Sequence, residues 1–375
     1  MTEPLRLAIV GPGDVAQRDY LPELSRIADL ATVVAVCGRG ESRARATAEQ
    51  LGASWFTDIS QMLEASHLDV VVNLTPIHDH EATTMLCLEA GAHVYSEKPL
   101  ATSVAGATKL RDEAARRGLV LAAAPSVMLF PQVRLAASML ARGEIGQVHT
   151  VRGLGFGGIP PWLGYTSDPS PFFRAGAGPH VDLGVYPLHA ITGLLGPIHR
   201  VSAMSARTRD GFEIADGPAA GDRVAMEIDD AWVMIAELEG PSLVSLESNF
   251  TSHGTRSAEL ELMGEQGTIA LSLLDPSTPL DVLGPVGEWS TREVPGVERS
   301  AGPDHILGVR HLAECIRDRV APIIGADHAI HVLSVLAAAE RSAAEGVHAD
   351  VAATDWLGPS VPGDEPAPGP GRQGA

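Results

Sequence analysis

The chain has 375 residues, of which 45% are hydrophobic and 20% are charged. This length exceeds what one hydrophobic core normally supports, so two domains are expected. The formal net charge of −20 argues against a general nucleic-acid-binding or acidic-membrane-binding surface. No apolar run is long enough to span a bilayer. The totals therefore indicate a globular protein whose partners are neither nucleic acids nor membranes.

The start of the chain and its cysteines suggest a compartment. Residues Met1 to Pro4 lead directly into an apolar strand, which leaves no room for a signal peptide. Cys37, Cys87 and Cys315 share no metal or redox spacing and lie in apolar surroundings, as reduced thiols do. We therefore expect a cytoplasmic protein.

Residues 1–123 alternate short β-rich runs with amphipathic helical stretches. The predicted strands are Leu5–Val10, Val33–Cys37, Val70–Leu74, His93–Ser96 and Leu119–Ala122, and predicted helices include Val15–Ala28 and Ser103–Arg117. Apolar strands separated by helices are typical of a parallel sheet covered on both faces. This part is predicted to be a doubly wound α/β domain.

The pattern changes from about Gly146. The next predicted strands are Val148–Leu154, Arg200–Met204, Ala225–Ile228, Val233–Glu237, Leu243–Ser248 and Ala258–Met263, and helices follow at Val309–Arg319 and Ala329–Glu345. Such a run suggests a large, mostly antiparallel sheet with one face on helices. We expect an α+β domain over residues 124–357 for substrate binding and oligomerisation. A Pro- and Gly-rich tail, residues 358–375, is predicted to be disordered.

A glycine-rich loop lies between the first strand and the first helix. It reads Gly11-Pro12-Gly13-Asp14-Val15-Ala16. The glycines allow a tight turn close to a pyrophosphate, and the small Ala16 lets helix and strand pack. The helix N-terminus adds N–H donors and a positive dipole end. A tight turn in any α/β protein can look similar, but the position predicts a dinucleotide-binding Rossmann domain.

The end of the second strand bears on the choice of cofactor. No Asp or Glu stands where a carboxylate would bind the ribose 2′-OH of NAD. Gly38 leaves space, and Arg39, Ser42 and Arg43 could hold a 2′-phosphate. Arg39 could equally be a solvated surface cation. We favour NADP(H), with NAD(H) as the alternative.

Two more loops follow strands of the same sheet, where ligands of such sheets bind. The residues expected to contact the cofactor there are Thr75, Pro76, His80, Glu97 and Lys98. His78 and His80 lack a convincing third ligand, so no metal site is expected.

A mostly apolar segment in the second domain carries Asp182, Tyr186 and His189 at i, i+4 and i+7. On one helix they would form a polar stripe, and buried polar groups need partners. A ligand pocket is the simplest explanation, although His189 fits a structural hydrogen-bond network equally well. Pro187 could kink the helix or make it begin later. The other residues expected to contact substrate, partly from a Pro-rich loop that could close over the site, are Trp162, Arg174 and His180.

The glycine loop, Thr75-Pro76, Glu97-Lys98-Pro99 and Asp182-x-Gly184-x-Tyr186 together resemble the Gfo/Idh/MocA oxidoreductases, and the motif order covers nearly the whole chain. The resemblance implies a Rossmann domain joined to a sheet-bearing substrate domain. It also implies that Lys98 contacts the reacting oxygen and that the Lys98–Pro99 bond is often cis. Many relatives have histidine at the position of Tyr186. The tyrosine of this chain resembles the glucose–fructose oxidoreductase and dihydrodiol dehydrogenase branch of the family.

Lysine is scarce here, which strengthens the case for Lys98. Of 27 basic residues only Lys98 and Lys109 are lysines, and lysine can exchange a proton near neutral pH whereas arginine cannot. We expect hydride transfer between a nicotinamide and a carbinol or ketone carbon of a sugar, sugar derivative or cyclitol. Tyr186 would be the general acid/base, Lys98 would lower its pKa and polarise the substrate oxygen, and Asp182 would bind a hydroxyl or orient Lys98.

Two other functions remain open at this point: an NAD-retaining glycosidase that oxidises its substrate transiently, and a non-catalytic ligand sensor. Retention of Lys98, Asp182 and Tyr186 together argues against the sensor. A homodimer or homotetramer is expected, because the far face of the antiparallel sheet must be covered.

Overall fold

A parallel sheet forms the first part of the chain in the computed structural model, which describes residues 3–158, 160, 164–214, 217, 219–275, 277–297, 302–356 and 358. Its strands are β1 (Leu5–Val10), β2 (Ala31–Cys37), β3 (Ser54–Phe56), β4 (Val70–Asn73), β5 (His93–Ser96) and β6 (Leu121–Ala123). They lie in the order β3-β2-β1-β4-β5-β6, and all neighbours are parallel. The order reverses between β1 and β4, so a crevice opens beyond the carboxyl ends of these two strands.

Helices cover both faces of this sheet. They are α1 (Glu41–Leu51), α2 (Ile59–Ala65), α3 (His80–Glu89) and α4 (Val104–Arg117). The helix predicted over Val15–Ala28 is instead a π-helical turn, Ala16–Tyr20, followed by a 3₁₀ segment, Leu21–Ile27. Pro22 lacks the N–H that an α-helix would require there.

A large mixed sheet forms the second part. Its described strands are β7 (Val148–Phe156), β8 (Ile198–Ala206), β11 (Ala231–Leu238), β12 (Leu243–Asn249), β13 (Leu260–Gly264), β14 (Gly267–Leu271), β15 (Leu280–Leu283), β16 (Trp289–Arg292) and β17 (Ala349–Asp350), with a separate hairpin of β9 (Gly211–Glu213) and β10 (Arg223–Ala225). The helices are α5 (Pro131–Ala141), α6 (Pro179–Asp182), α7 (Val185–Leu195), α8 (Ile306–Asp318) and α9 (Ala326–Glu345). In the described part of the chain no helix is both long and apolar enough to cross a membrane.

The predicted fold class is confirmed: a Rossmann sheet is followed by an α+β unit with a mostly antiparallel sheet. One pair, β7 with β12, is parallel. The sequence assigned α8 and α9 to the second unit, yet Ala329 and Ile330 of α9 pack in one cluster with Val94 and Leu110 of the first. The division at residue 123 therefore stays a prediction, and residues 359–375 of the predicted tail lie outside the described residues.

The two faces of the mixed sheet differ in exposure. Along β11 the side chains alternate between buried and exposed, as a strand with one covered face requires. The inner face packs on α7 and α9. The outer face exposes large apolar side chains, namely Met204, Val233, Ile235 and Leu243. This outer sheet face is a candidate contact surface.

A cluster of buried histidines lies between α7 and α9. The ring of His189 is 4.6 Å from that of His328, and the indole of Trp356 stacks on His328 and His331 at 4.4 and 5.1 Å. Burial lowers the pKa of His189 to about 3 and that of His331 to about 4. These rings are therefore neutral in the folded protein at neutral pH.

The histidine cluster predicts a loss of stability in acid. Below the ordinary histidine pKa of about 6.5 the unfolded chain binds protons that the folded chain cannot, so the free energy of unfolding falls until the folded pKa is reached. Each deeply buried ring costs about 2 kcal/mol at pH ~5. Urea unfolding of wild type and His189→Asn at neutral and acidic pH measures this. The variant should lose one ring's share of the pH dependence, and an unchanged dependence would contradict the assignment.

Candidate active site

A cavity of about 1130 Å³ opens beyond the carboxyl ends of the parallel strands. Its lining includes the loops that follow β1, β2, β4 and β5, together with residues from segments 165–172, 182–186 and 302–305 of the second unit. Ligand pockets for one small molecule are typically about 300–1,000 Å³. The cavity thus exceeds the typical volume of a site for one small ligand.

Glycines let the loops after β1 and β2 and the end of β4 lie close together at the cavity floor. Gly11 has φ +88°, and a Cβ there would lie 2.5 Å from the carbonyl oxygen of Leu74. A Cβ on Gly38 would lie 2.7 Å from Cδ of Pro12. Of the predicted loop, the first five residues line the cavity and Ala16 is buried beneath it. The structure thus requires glycine at Gly11 and leaves little space for a side chain at Gly38.

The Pro-rich loop of the second unit contacts the glycine loop through Thr166 and Ser167, two residues that sequence reasoning did not mark. The Asp14 carboxylate accepts hydrogen bonds from the N–H and hydroxyl of Thr166 at 2.9 and 3.0 Å. The Asp14 N–H donates to Ser167 Oγ at 3.0 Å. Arg43 donates to Ser167 Oγ at 3.0 Å and to the Thr166 carbonyl at 2.8 Å. Arg43 is therefore engaged by this loop.

The end of the cavity near β2 contains the residues predicted to select the cofactor. Arg39 lines the cavity with a side chain that is 81% exposed and lies 3.5 Å from the Asp79 carboxylate. Ser42 is exposed and is not part of the lining. Asp58 also lines this end, but its carboxylate accepts the Gln61 N–H and caps α2. Arg39 is thus the predicted 2′-phosphate ligand that the structure leaves most accessible.

His80 joins the two loops that follow β4 and β5. Its ring nitrogens lie 2.7 Å from the carbonyl oxygens of Thr75 and Pro99. Burial lowers the pKa of His80, and a neutral imidazole donates from one nitrogen only. Buried Asn73 braces the first of these loops by accepting from the Thr75 hydroxyl at 2.7 Å. Among the described residues, no three His, Cys, Asp or Glu side chains are grouped as metal ligands.

The structure brings Lys98, Asp182 and Tyr186 together at the other end of the cavity. The Lys98 ammonium forms an ion pair with the Asp182 carboxylate and donates to the Asp182 carbonyl oxygen at 2.8 Å. It lies 5.4 Å from the centre of the Tyr186 ring. The side chains of Lys98 and Asp182 are only 13% and 6% exposed. The Lys98–Pro99 peptide bond is cis.

The prediction of one polar helix stripe is wrong. Asp182 ends α6 and Tyr186 lies in the first turn of α7, with Gly184 between the two helices. A Cβ on Gly155 of β7 would lie 2.6 Å from the Gly184 nitrogen, so the break packs directly on the sheet. Pro187 lies in the first turn of α7, where its missing N–H leaves no helical bond unmade. The helix therefore begins later than the stripe requires.

Of the remaining predicted substrate contacts, those that the structure describes lie outside the cavity lining. His189 packs in the histidine cluster rather than lining the cavity. His180 stacks on Trp232 with ring centres 4.1 Å apart and lies 3.0 Å from the Glu340 carboxylate. Arg174 is exposed and outside the lining. Trp162 lies outside the described residues.

Tyr186 has a raised pKa, not the lowered one that was expected from the neighbouring Lys98. Burial and the carboxylates of Glu97 and Asp182 raise the Tyr186 pKa well above its ordinary value. The Lys98 ammonium is directed at Asp182, which offsets its charge. The Tyr186 phenol is therefore protonated at neutral pH and suited to donate a proton.

Glu97 is a buried carboxylate behind Lys98. It accepts the Tyr20 hydroxyl at 2.6 Å and the Lys98 N–H at 2.9 Å, and Nδ1 of His305 lies 3.6 Å from it. Burial opposes ionisation, but the positive charges of His305 and Lys98 lower the Glu97 pKa. Sequence reasoning expected Glu97 to touch the cofactor and missed Tyr20 and His305, which no motif marks.

Sequence comparisons agree with this geometry. Residues 5–124 match the profile of the oxidoreductase family with an NAD-binding Rossmann fold, and residues 133–270 match the Gfo/Idh/MocA C-terminal domain. D-glucoside 3-dehydrogenase of Escherichia coli K12 is 30% identical over 66% of this chain and 71% of that protein. A dTDP-3,4-didehydro-2,6-dideoxy-α-D-glucose 3-reductase of Actinomadura kijaniata is 32% identical over 58% of this chain and 64% of its own length.

A solved structure shows the same fold. Levoglucosan dehydrogenase in complex with NADH and levoglucosan superimposes with a TM-score of 0.81. The match covers 93% of this chain and all of that one, at 19% identity. At this identity the likeness concerns the architecture.

Replacing Lys98 by Arg should nearly abolish turnover. The guanidinium group of arginine is larger than an ammonium, is planar and cannot release a proton. The variant therefore keeps the positive charge but does not reproduce the geometry of the buried ion pair with Asp182. We expect kcat to fall by about 10²- to 10⁴-fold, with little change in cofactor affinity measured by fluorescence titration. Lys109→Arg, on the exposed face of α4, is the matched control and should match wild type. Near-wild-type turnover of Lys98→Arg would place the active site elsewhere.

Proposed function

Because the chain belongs to the Gfo/Idh/MocA oxidoreductase family, we propose that it transfers a hydride between NAD(P) and a carbinol or ketone carbon of a sugar, sugar derivative or cyclitol. One observation carries the proposal. A single cavity extends from the glycine loop to the cluster of Lys98, Asp182 and Tyr186. The dinucleotide site and the proton-handling groups are thus adjacent.

The reacting carbon is proposed to be C3 of a hexose ring. The two relatives above are named as a 3-dehydrogenase and a 3-reductase of hexose derivatives. In this chain, Tyr165 and Phe172 line the cavity and pack edge to face with ring centres 6.0 Å apart. Such an aromatic pair offers the apolar face of a pyranose ring a complementary surface.

The cavity fits a dinucleotide. Gly11 and Gly38 keep the cavity floor free of side chains next to the point where the strand order reverses. Arg39 lies at the end of the cavity near β2, where the adenosine ribose would bind. The bound nicotinamide would supply or accept the hydride. Lys98 would hold the substrate oxygen by charge and hydrogen bond, and Asp182 fixes the Lys98 ammonium through both its carboxylate and its carbonyl. Tyr186 would deliver the proton to the oxygen as the carbonyl is reduced, and take it back in the reverse direction.

A neutral hexoside such as a methyl glucoside tests the proposal directly. Incubation with oxidised cofactor should produce the reduced nicotinamide and a ring ketone in equal amounts, measured by absorbance and mass spectrometry. Release of the aglycone without net cofactor reduction would identify a glycosidase instead. Failure to oxidise any hexoside, polyol or cyclitol, or to reduce the matching ketones, would overturn the proposal.

The raised pKa of Tyr186 predicts different pH profiles for ketone reduction and for alcohol oxidation. Ketone reduction needs the protonated phenol, so kcat/KM should stay constant from neutral pH to about pH 9. Oxidation needs the phenolate, so kcat/KM should rise with pH across the same range. Tyr186→Phe should abolish the rise. An oxidation rate that reaches a plateau below neutral pH would contradict this role for Tyr186.

Arg39 is proposed to give NADP(H) an advantage over NAD(H). No carboxylate stands at the end of β2 to select the ribose hydroxyls, and the exposed guanidinium can form charge-assisted bonds to a 2′-phosphate. Arg39→Ala should weaken NADPH binding about tenfold, which is one such contact, and leave NADH binding unchanged. Arg45→Ala, on the helix that follows Arg39 but outside the cavity lining, is the control. Tighter NADH binding that Arg39→Ala does not alter would contradict it.

The outer sheet face is proposed to be the interface of a homodimer or homotetramer. Val233 and Met204 are paired across β11 and β8 and are exposed by 53% and 78%. The proposed location is the cytoplasm, with which the unpaired state of the described cysteines agrees. Light scattering should give at least twice the chain mass. Ile235→Glu on this face should shift it to monomer, whereas Val320→Glu, exposed elsewhere, should not. A monomeric wild type would rule the interface out.

A further inference from the structure

His305 lies in the cavity without a part in the proposed chemistry. It precedes α8, is 6% exposed and belongs to the cavity lining. Its ring centre lies 6.4 Å from that of Tyr186 and 5.7 Å from that of Tyr20. An ionisable ring has thus been placed beside the reacting groups by a segment distant in sequence.

The ring contacts the carboxylate that holds the Lys98 backbone. Nδ1 of His305 lies 3.6 Å from Glu97, and the other Glu97 oxygen accepts the Lys98 N–H at 2.9 Å. A fully buried carboxylate is costly unless positive charge and hydrogen bonds compensate it. The Lys98 ammonium is directed at Asp182, so His305 is placed to compensate Glu97 together with Lys98. An ionised Glu97 binds the Lys98 N–H more strongly than a neutral one would.

His305 is itself anchored to the first domain. The neighbouring Asp304 forms a bidentate ion pair with Arg26, both N–O distances being 2.9 Å, and it is buried. The Ser126 hydroxyl donates to the Asp304 carbonyl at 3.0 Å. Arg26 lies in the 3₁₀ segment that directly follows Tyr20, the other partner of Glu97. Both groups that face Glu97 are therefore fixed by the same part of the chain.

We propose that His305 is a positioning residue for Lys98: held by the Arg26–Asp304 ion pair, it orients the Glu97 carboxylate, which fixes the backbone from which the Lys98 ammonium reaches the substrate oxygen. The proposal rests on the function proposed above for Lys98. It assigns a role to a residue that no motif marks.

Turnover of His305→Leu tests the proposal. Because a small misplacement of a reacting group can cost about 10²-fold in rate, kcat should fall by about tenfold to 10²-fold while KM and the NADPH dissociation constant change little. His305→Gln, which keeps a polar side chain, should recover part of the loss. Glu97→Gln should lower kcat similarly, and the double variant should be no worse than either single variant, because both act through one path. Additive losses, or a rise in KM alone, would overturn the proposal.

Arg26→Ala and Arg310→Ala form a matched pair. Both remove an ion pair between residues 26–29 and residues 304–310, but only the Arg26 side chain contacts Asp304, whereas Arg310 pairs with Asp29 and donates to the Arg26 carbonyl. Urea unfolding should show the larger loss of stability for Arg26→Ala, because its ion pair with Asp304 is buried whereas the pair of Arg310 with Asp29 is largely exposed. Arg26→Ala alone should lower kcat, and equal kcat for the two variants would overturn the anchoring role.

A readout independent of turnover separates this proposal from the proposed function. Lys98 and Lys109 are the only lysines, so amine labelling followed by mass spectrometry compares a buried, paired lysine with an exposed one. In His305→Leu the labelling rate of Lys98 relative to Lys109 should rise several-fold, because the ion pair between Lys98 and Asp182 loosens. An unchanged ratio would overturn the proposal. If the wild type oxidises no sugar but the labelling ratio of Lys98 to Lys109 is still raised in His305→Leu, only the proposed function is overturned.

Discussion

The ammonium of Lys98 and the carboxylate of Asp182 come from positions 84 residues apart in the chain, and each would be an uncompensated buried charge without the other. Breaking a buried ion pair by removing one partner typically costs about 3–5 kcal/mol. The pair therefore fixes how the loop after β5 meets the end of α6. Tyr186, one turn further on, is held near the same ammonium as a consequence.

The backbone makes this meeting possible at a few points where no side chain fits. Gly11 lets the loop after β1 lie against the end of β4, and Gly155 lets β7 touch the break between α6 and α7 at Gly184. The contacts of Asp14 with Thr166 and Ser167 join the same glycine loop to the second unit. Close packing and hydrogen bonding together enclose the site between the two units.

Most strands and the central site residues could be predicted from the sequence, because strand patterns and the glycine loop are local signals. Lys98 was recognisable from the rarity of lysine and its place after a Rossmann strand. The positions of His180 and His189 and the direction of the Tyr186 pKa could not be predicted, because the helix break, the packing on Trp232 and His328, and the burial of Glu97 depend on tertiary contacts. Tyr20 and His305 lie far apart in sequence and meet only through Glu97.

The central claim is that one cavity lets a hydride pass directly between the nicotinamide and a substrate carbon held by Lys98 and Tyr186. The most direct test reduces a hexoside ketone with a nicotinamide cofactor that carries deuterium at the transferable position of its C4 carbon. The product should contain one deuterium per molecule, bound to the new carbinol carbon, as detected by mass spectrometry and NMR. A reduced product without deuterium at that carbon would contradict direct transfer and, with it, the assignment of this site.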